Sequence, residues 1–375
     1  MLFKEVIGQH EICKELRASV LSNRISHAQL FHGPEGCGLL SLALAYAQYI
    51  NCTNKQEDDS CGVCSSCVKY NKLQHPDLHL VFPVAPNTKI KKDPVSDHFI
   101  KEWREIVLQH PYLSLDSWLA HIGVENKQGS IYKQESSEIY KKLNLKTYES
   151  EYKVMIIWMA EKMNEICANK ILKILEEPPE KTLFLLLAEN TESMLQTILS
   201  RTQIRRVPKI DKESIRQKIT ADFDFNETDV NAIVHNSNGN YHKAFQLASF
   251  DNSHNEFFNF FTQLMRLAYS KNLPELAKVT DEIGSIGREK QKAFIEYSLG
   301  MIRENFILHN KLEDIVYLYQ QEKEFSSKFN AFINQKNIAS LTKEFNEAYH
   351  HIERNGNAKL IFFDVALKLI ILLRA

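Results

Sequence analysis

A chain of 375 residues, 44% hydrophobic and 25% charged, is long enough for two or three domains with separate cores. Its 46 basic and 47 acidic side chains give a formal net charge of -1, which excludes DNA binding driven by bulk electrostatics and leaves only local or shared contacts. No apolar run reaches the roughly 18 residues of a membrane span, and MLFKEVIGQHEICKELR carries charges where a leader would be apolar. The expectation is a cytoplasmic protein with no membrane partner and no disulfides among its seven cysteines.

To about residue 207, strand-like apolar runs (HAQLFHG, LHLVFPV, KVMIIWM, TLFLLLAEN, QIRRVP) alternate with the helical patterns LLSLALAYAQYI and AEKMNEICANKILKILEEPP. Such alternation predicts a parallel sheet with flanking helices, an α/β module. In the second helix Met163, Ile166, Cys167, Ile171, Ile174 and Leu175 recur near period 3.6, and the Glu176–Pro179 run ends it. Residues 84–150 have short helical stretches but no evident place in the sheet. Pro208 marks a boundary, followed by helical spacing to about 250, and the pattern stays helical to the end. The closing NAKLIFFDVALKLIILLRA has too wide an apolar face for a simple surface helix, so it is expected against neighbours within its domain or between subunits.

Three motifs carry chemistry. In GPEGCGLLS, Gly33, Gly36 and Gly38 form a turn between strand and helix like a phosphate-cradling loop, but Leu39 and Leu40 stand where the lysine and the hydroxyl belong. The strand that would end in acidic residues, to hold magnesium and polarise water, ends in Trp158 and Met159. From these residues alone the loop is a nucleotide site, the remnant of one, or a tight corner. Cys52, Cys61, Cys64 and Cys67 have the C-x8-C-x2-C-x2-C spacing of a four-thiolate site, which favours structural Zn2+ with no open position. An iron–sulfur cluster, a redox pair and four unrelated buried cysteines are the alternatives. In ILSRTQ, Ser200 and Arg201 precede the last strand, where a guanidinium could project to an edge.

Taken in order, HAQLFHGPEG, the cysteine cluster, HPD at 75–77, KVMIIWMAEKM, ANKILKILEEPP, LAENTESMLQTILSRTQ and GNYHKAFQLA make the chain resemble bacterial clamp-loader subunits of the AAA+ superfamily. Coverage is good to about residue 250 and weak beyond. Within the family the closer resemblance is to the delta-prime type, which commonly has a damaged phosphate loop and keeps the zinc module and a serine-arginine-cysteine motif. The resemblance implies an AAA+ domain at 1–207, with a zinc module at about 52–67 and an insertion within 84–150. A helical lid at 208–250 and a helical collar for oligomerisation at 251–375 would follow. It also implies a subunit that binds no ATP, the stator of a five-subunit ring with gamma/tau-type ATPases and a delta-type subunit, which loads the sliding clamp onto primer-template DNA. Arg201 would be the arginine finger for a neighbour's site, with Ser200 beside it. Thr202 stands in place of the motif's cysteine, and Gly239–Lys243 lacks the family's nucleotide-sensing arginine. The competing readings are an active gamma/tau-type ATPase and a zinc-dependent nucleic-acid-binding module.

Overall fold

All five strand-like runs form strands in the computed structural model: β1 (Ala28–His32), β2 (Leu78–Val81), β3 (Lys153–Trp158), β4 (Thr182–Ala188) and β5 (Gln203–Arg206). The structure describes residues 1–88, 90–124, 127–249 and 251–374, without the side chains of 251–254 and 289. The strands pair in parallel in the order β2-β3-β4-β1-β5, with Leu30 beside Leu186 and Ile156 beside Leu185. β3 and β4 are buried along their whole length, as near-continuous apolar strands covered on both faces must be.

The helices of this part are α1 (His10–Leu21), α2 (Leu39–Asn51), α3 (Ser65–Asn71), α4 (Ile100–Gln109), α5 (Leu115–His121), α6 (Lys133–Asn144), α7 (Glu165–Glu176) and α8 (Gln196–Leu199). α2 is buried at every position. It shares one side of the sheet with the buried Trp103 of α4 and Trp118 of α5, while Ile139 and Leu143 of α6 join Ile171 and Leu175 of α7 on the other. Residues 84–150 therefore clothe both faces of the sheet. They add no strand among the described residues, only single bridges from Val84 to Ser130 and from Ile131 to Met163. The segment returns to β3 through Asp77, whose carboxylate accepts the N–H groups of Tyr148, Glu149 and Ser150 at 2.7, 3.0 and 2.9 Å.

One part of the expected apolar stripe is corrected. α7 starts at Glu165, capped by the Asn164 side chain on the Cys167 N–H, so Met163 lies before it. Ile166 is 55% exposed, because it sits about 100° around the helix from Cys167, on the flank of the Cys167–Ile171–Ile174–Leu175 face.

The rest is helical among the described residues: α9 (Lys212–Asp222), α10 (Glu227–Ser237), α11 (Tyr241–Ser249), α12 (Asp251–Ser270), α13 (Leu273–Ile283), α14 (Arg288–His309), α15 (Gln320–Phe329), α16 (Ile338–Glu353) and α17 (Ala358–Leu372). The chain divides into two compact units, Met1–Lys218 with Ser237–Phe245, and Ile219–Asn236 with Gln246–Ala375. The 250/251 boundary expected from sequence falls at Phe250, outside the described residues. The second unit has its own core, in which Phe261, Phe294, Phe345 and Phe362 are buried. In α17, Val365, Ala366 and Leu369 are buried within this unit, while Leu360, Leu367 and Ile371 are exposed. No described helix is long and apolar enough to cross a membrane.

Candidate functional site

The phosphate-type loop connects β1 to α2, and its glycines are held by contact. Gly36 (φ 69°) and Gly38 (φ 94°) adopt left-handed conformations that favour glycine. A Cβ on Gly36 would lie 1.9 Å from Oδ1 of Asn240, and one on Gly38 would lie 2.8 Å from the Tyr112 ring. The Tyr241 N–H donates to the Gly36 carbonyl at 3.1 Å. Leu39 and Leu40 are buried in the same core as Trp158 and Met159.

At the end of β3, Trp158 meets aromatic neighbours: its ring centre is 5.0 Å from that of Trp103, which stacks on Phe82 at 4.1 Å. Met159 follows at φ 55°, an uncommon conformation for a side-chain-bearing residue, and turns the chain into a 3₁₀ turn over Ala160–Lys162. Sequence reasoning missed the carboxylates of this region. Glu161 accepts the N–H of Glu189 at 2.9 Å, and burial raises its pKa. Burial, then the carboxylates of Glu35 and Glu161, push Glu189 up to about 8. Glu161 in the turn after β3 and Glu189 after β4 are thus half-buried acids whose protonated forms the fold favours, and only the pairing of β3 with β4 discloses that they meet.

Glu189 supplies a stability test. Its ordinary pKa is 4.5, so the fold favours the protonated acid, and that stability is present below 4.5 and lost as pH rises toward about 8. Glu189→Gln should therefore stabilise the chain by on the order of 1–3 kcal/mol at pH 8 and little at pH 5. Thermal midpoints at the two pH values check this, and equal gains at both would contradict it.

Cys52 ends α2, Cys61 follows the connecting turn, Cys64 caps α3 and Cys67 lies in it. Their four sulfurs lie within 4.8 Å of one another. The Cys52–Cys61 and Cys61–Cys67 separations, 3.6 and 4.0 Å, bracket the edge of about 3.8 Å that a tetrahedron with zinc–sulfur bonds of about 2.3 Å requires. The N–H groups of Cys61, Cys64 and Cys67 donate to the sulfurs of Cys52, Cys61 and Cys64 at 3.3, 3.3 and 3.4 Å, which stabilises thiolate charge. The donor set fits a tetrahedral metal ion. Beside it, the Asp59 carboxylate accepts the N–H groups of Phe3 and Lys4 at 3.0 Å, so the cluster also fastens the first residues of the chain.

Arg201 lies between α8 and the edge strand β5. Its guanidinium turns back to the Glu176 carboxylate at the end of α7 and donates to the Thr197 carbonyl at 2.9 Å and the Ser200 hydroxyl at 3.4 Å. Lys243, in the GNYHK stretch, is exposed on α11.

The sequence places these features among known proteins. Residues 8–211, more than half of the chain, match the family described as DNA polymerase III, delta subunit. DNA polymerase III subunit gamma/tau of Mycobacterium bovis is 31% identical over 200 residues, covering 53% of this chain and 27% of that protein. DNA polymerase III subunit delta' of Bacillus subtilis is 29% identical over 211 residues, 56% of this chain and 51% of that one. The corresponding subunit delta' of Haemophilus influenzae is 32% identical over 178 residues, 48% and 41%. The chain thus spans from 27% to 51% of the lengths of these relatives. A family match across the whole sheet-bearing region makes this chain a member of the DNA polymerase III delta-subunit family of clamp-loader AAA+ proteins.

Proposed function

We propose that the chain is a cytoplasmic, non-ATPase subunit of a DNA polymerase III clamp loader. It acts as the stator of a five-subunit ring with gamma/tau-type ATPases and a delta-type subunit, and helps place the sliding clamp on primer-template DNA. The observation that carries this reading is the fate of the catalytic positions. Leu39, Leu40, Trp158 and Met159 stand where phosphate, magnesium and water would need a lysine, a hydroxyl and acids, and all four side chains belong to the core.

In this reading the domains are an AAA+ module at 1–207, a lid at 208–250 and a collar at 251–375. The cysteine cluster holds one structural Zn2+, and Arg201 completes the ATP site of an adjacent subunit, with Ser200 positioning it. The similarity to gamma/tau subunits favours a second reading, in which this chain is itself an ATPase. Calorimetry with millimolar MgATP separates the two. No binding is expected, and a stoichiometric, magnesium-dependent site would establish the second reading instead. Reconstitution with gamma/tau-type and delta-type subunits should give a complex that contains this chain, and its exclusion would remove the stator role.

A further inference from the structure

Residues 84–150 raise a question that the proposed function leaves open: what so long a segment between two neighbouring strands does. Its central residues converge on the phosphate-type loop. Tyr112, in the turn between α4 and α5, is 4% exposed, and its ring lies against Gly38 at the start of α2. Its hydroxyl accepts the Ile7 N–H at 2.7 Å, which gives a buried donor its partner. Residues 240–241 meet the loop as well, through Asn240 against Gly36, the Tyr241 N–H on the Gly36 carbonyl, and the Tyr241 ring 5.0 Å from that of Tyr112. Nearby, His110 stacks on Phe245 at 4.1 Å, and His242 bonds Ser117 at 3.1 Å.

The same segment covers the strand end. Trp103 of α4 lies between Phe82 and Trp158, and the Trp118 indole N–H donates to the Pro83 carbonyl at 2.7 Å. In a nucleotide-binding loop, the ligand's phosphates gather the N–H groups at the helix start, and the metal ties them to the neighbouring strand. Here side chains of the chain itself touch both places.

We infer that the 84–150 segment takes the structural place of a nucleotide at this loop, with Tyr112 as its key: it holds the loop, Ile7 and the start of α11 together without nucleotide. The inference rests on the reading that this chain binds no ATP, and it deepens that reading by naming what takes the ligand's structural place. It also accounts for the glycines of a loop that carries Leu39 and Leu40 in place of phosphate-binding residues. Gly36 and Gly38 are now required by Asn240 and Tyr112.

Amide hydrogen exchange on the full chain tests this, comparing the wild type, with and without millimolar MgATP, with Tyr112→Ala and Tyr112→Phe. Tyr112→Ala should speed exchange at 33–42 and 240–245 by at least about tenfold, because local opening there loses its tie, while β3 and β4 keep their rates. Tyr112→Phe keeps the ring and should release only the Ile7 amide. Should the alanine variant not fold, Tyr112→Leu carries the same comparison with a smaller void. Unchanged exchange at the loop, or uniform acceleration that includes β3 and β4, would overturn the inference and leave the non-nucleotide reading standing. Protection of 33–42 by MgATP in the wild type would overturn that reading, and the inference with it.

Discussion

Arg201→Ala should, on the proposed stator role, leave the chain folded and able to enter the complex, yet slow ATP hydrolysis at one neighbouring site by about 10³–10⁵-fold, or roughly 4–7 kcal/mol of transition-state stabilisation. An arginine supplied in trans neutralises charge that develops on the transferred phosphoryl group. In such a ring total hydrolysis should fall only in part, because the variant removes one arginine, and clamp loading should fall further. Arg201→Lys should not rescue it, because a point charge cannot reproduce a planar fork gripping two oxygens. The ion pair with Glu176 sharpens the comparison. If that half-exposed pair were the side chain's whole purpose, its loss would cost about 0–1 kcal/mol of stability and leave ring ATPase normal. A lowered melting temperature with undiminished hydrolysis would therefore remove the finger. In the favoured case Glu176 holds the guanidinium until a neighbour's phosphate competes for it, and Glu176→Gln should keep the complex active.

Loss of the proposed zinc should have a larger effect on the fold itself. One zinc per chain is expected to copurify, and structural zinc in small peptides contributes on the order of 10–16 kcal/mol of folding free energy. Cys64→Ser or a strong chelator should open the segment from the end of α2 through α3, read as protease cleavage near residues 52–71. The damage should spread to the first residues, because Asp59 in the connecting turn holds the Phe3 and Lys4 amides, and Phe3 packs edge-on to Tyr49 at 5.6 Å. The sheet core, whose strands pair independently of the sulfurs, should persist. Metal analysis finding iron with visible absorbance, or no metal in a fully protected module, would overturn zinc.

Local pattern was enough to locate all five strands, because four are apolar runs bounded by turn or helix signals and the fifth, the polar edge strand QIRR, runs up to Val207 and Pro208. It also disclosed the four-cysteine spacing and the glycine loop with Leu39 and Leu40, since these are short-range facts about residue type. The destinations of the 84–150 helices were hidden. Phe99, Trp103 and Val107 mark a helical face, but nothing local says that this face covers the end of β3. Tyr112 reaches Ile7 and Gly38, and Arg201 reaches Glu176, across separations at which periodicity carries no information. Ile166 misled because an apolar residue beside a true stripe looks like part of it.

The strand order also bears on how the chain is made. β1 is synthesised well before its two partners, β4 and β5, so both its edges lack hydrogen-bonding partners until Thr182 and then Gln203 have been added. At translation rates of about 5–20 residues per second, that wait is roughly 8–30 s. Throughout it an apolar strand with two open edges is exposed, a template for wrong pairing that closes only when the last strand arrives. Expression at reduced temperature or with a chaperone that shields extended apolar segments should therefore raise the soluble yield, whereas truncation before β5 should give aggregated protein even with every residue of the metal cluster intact.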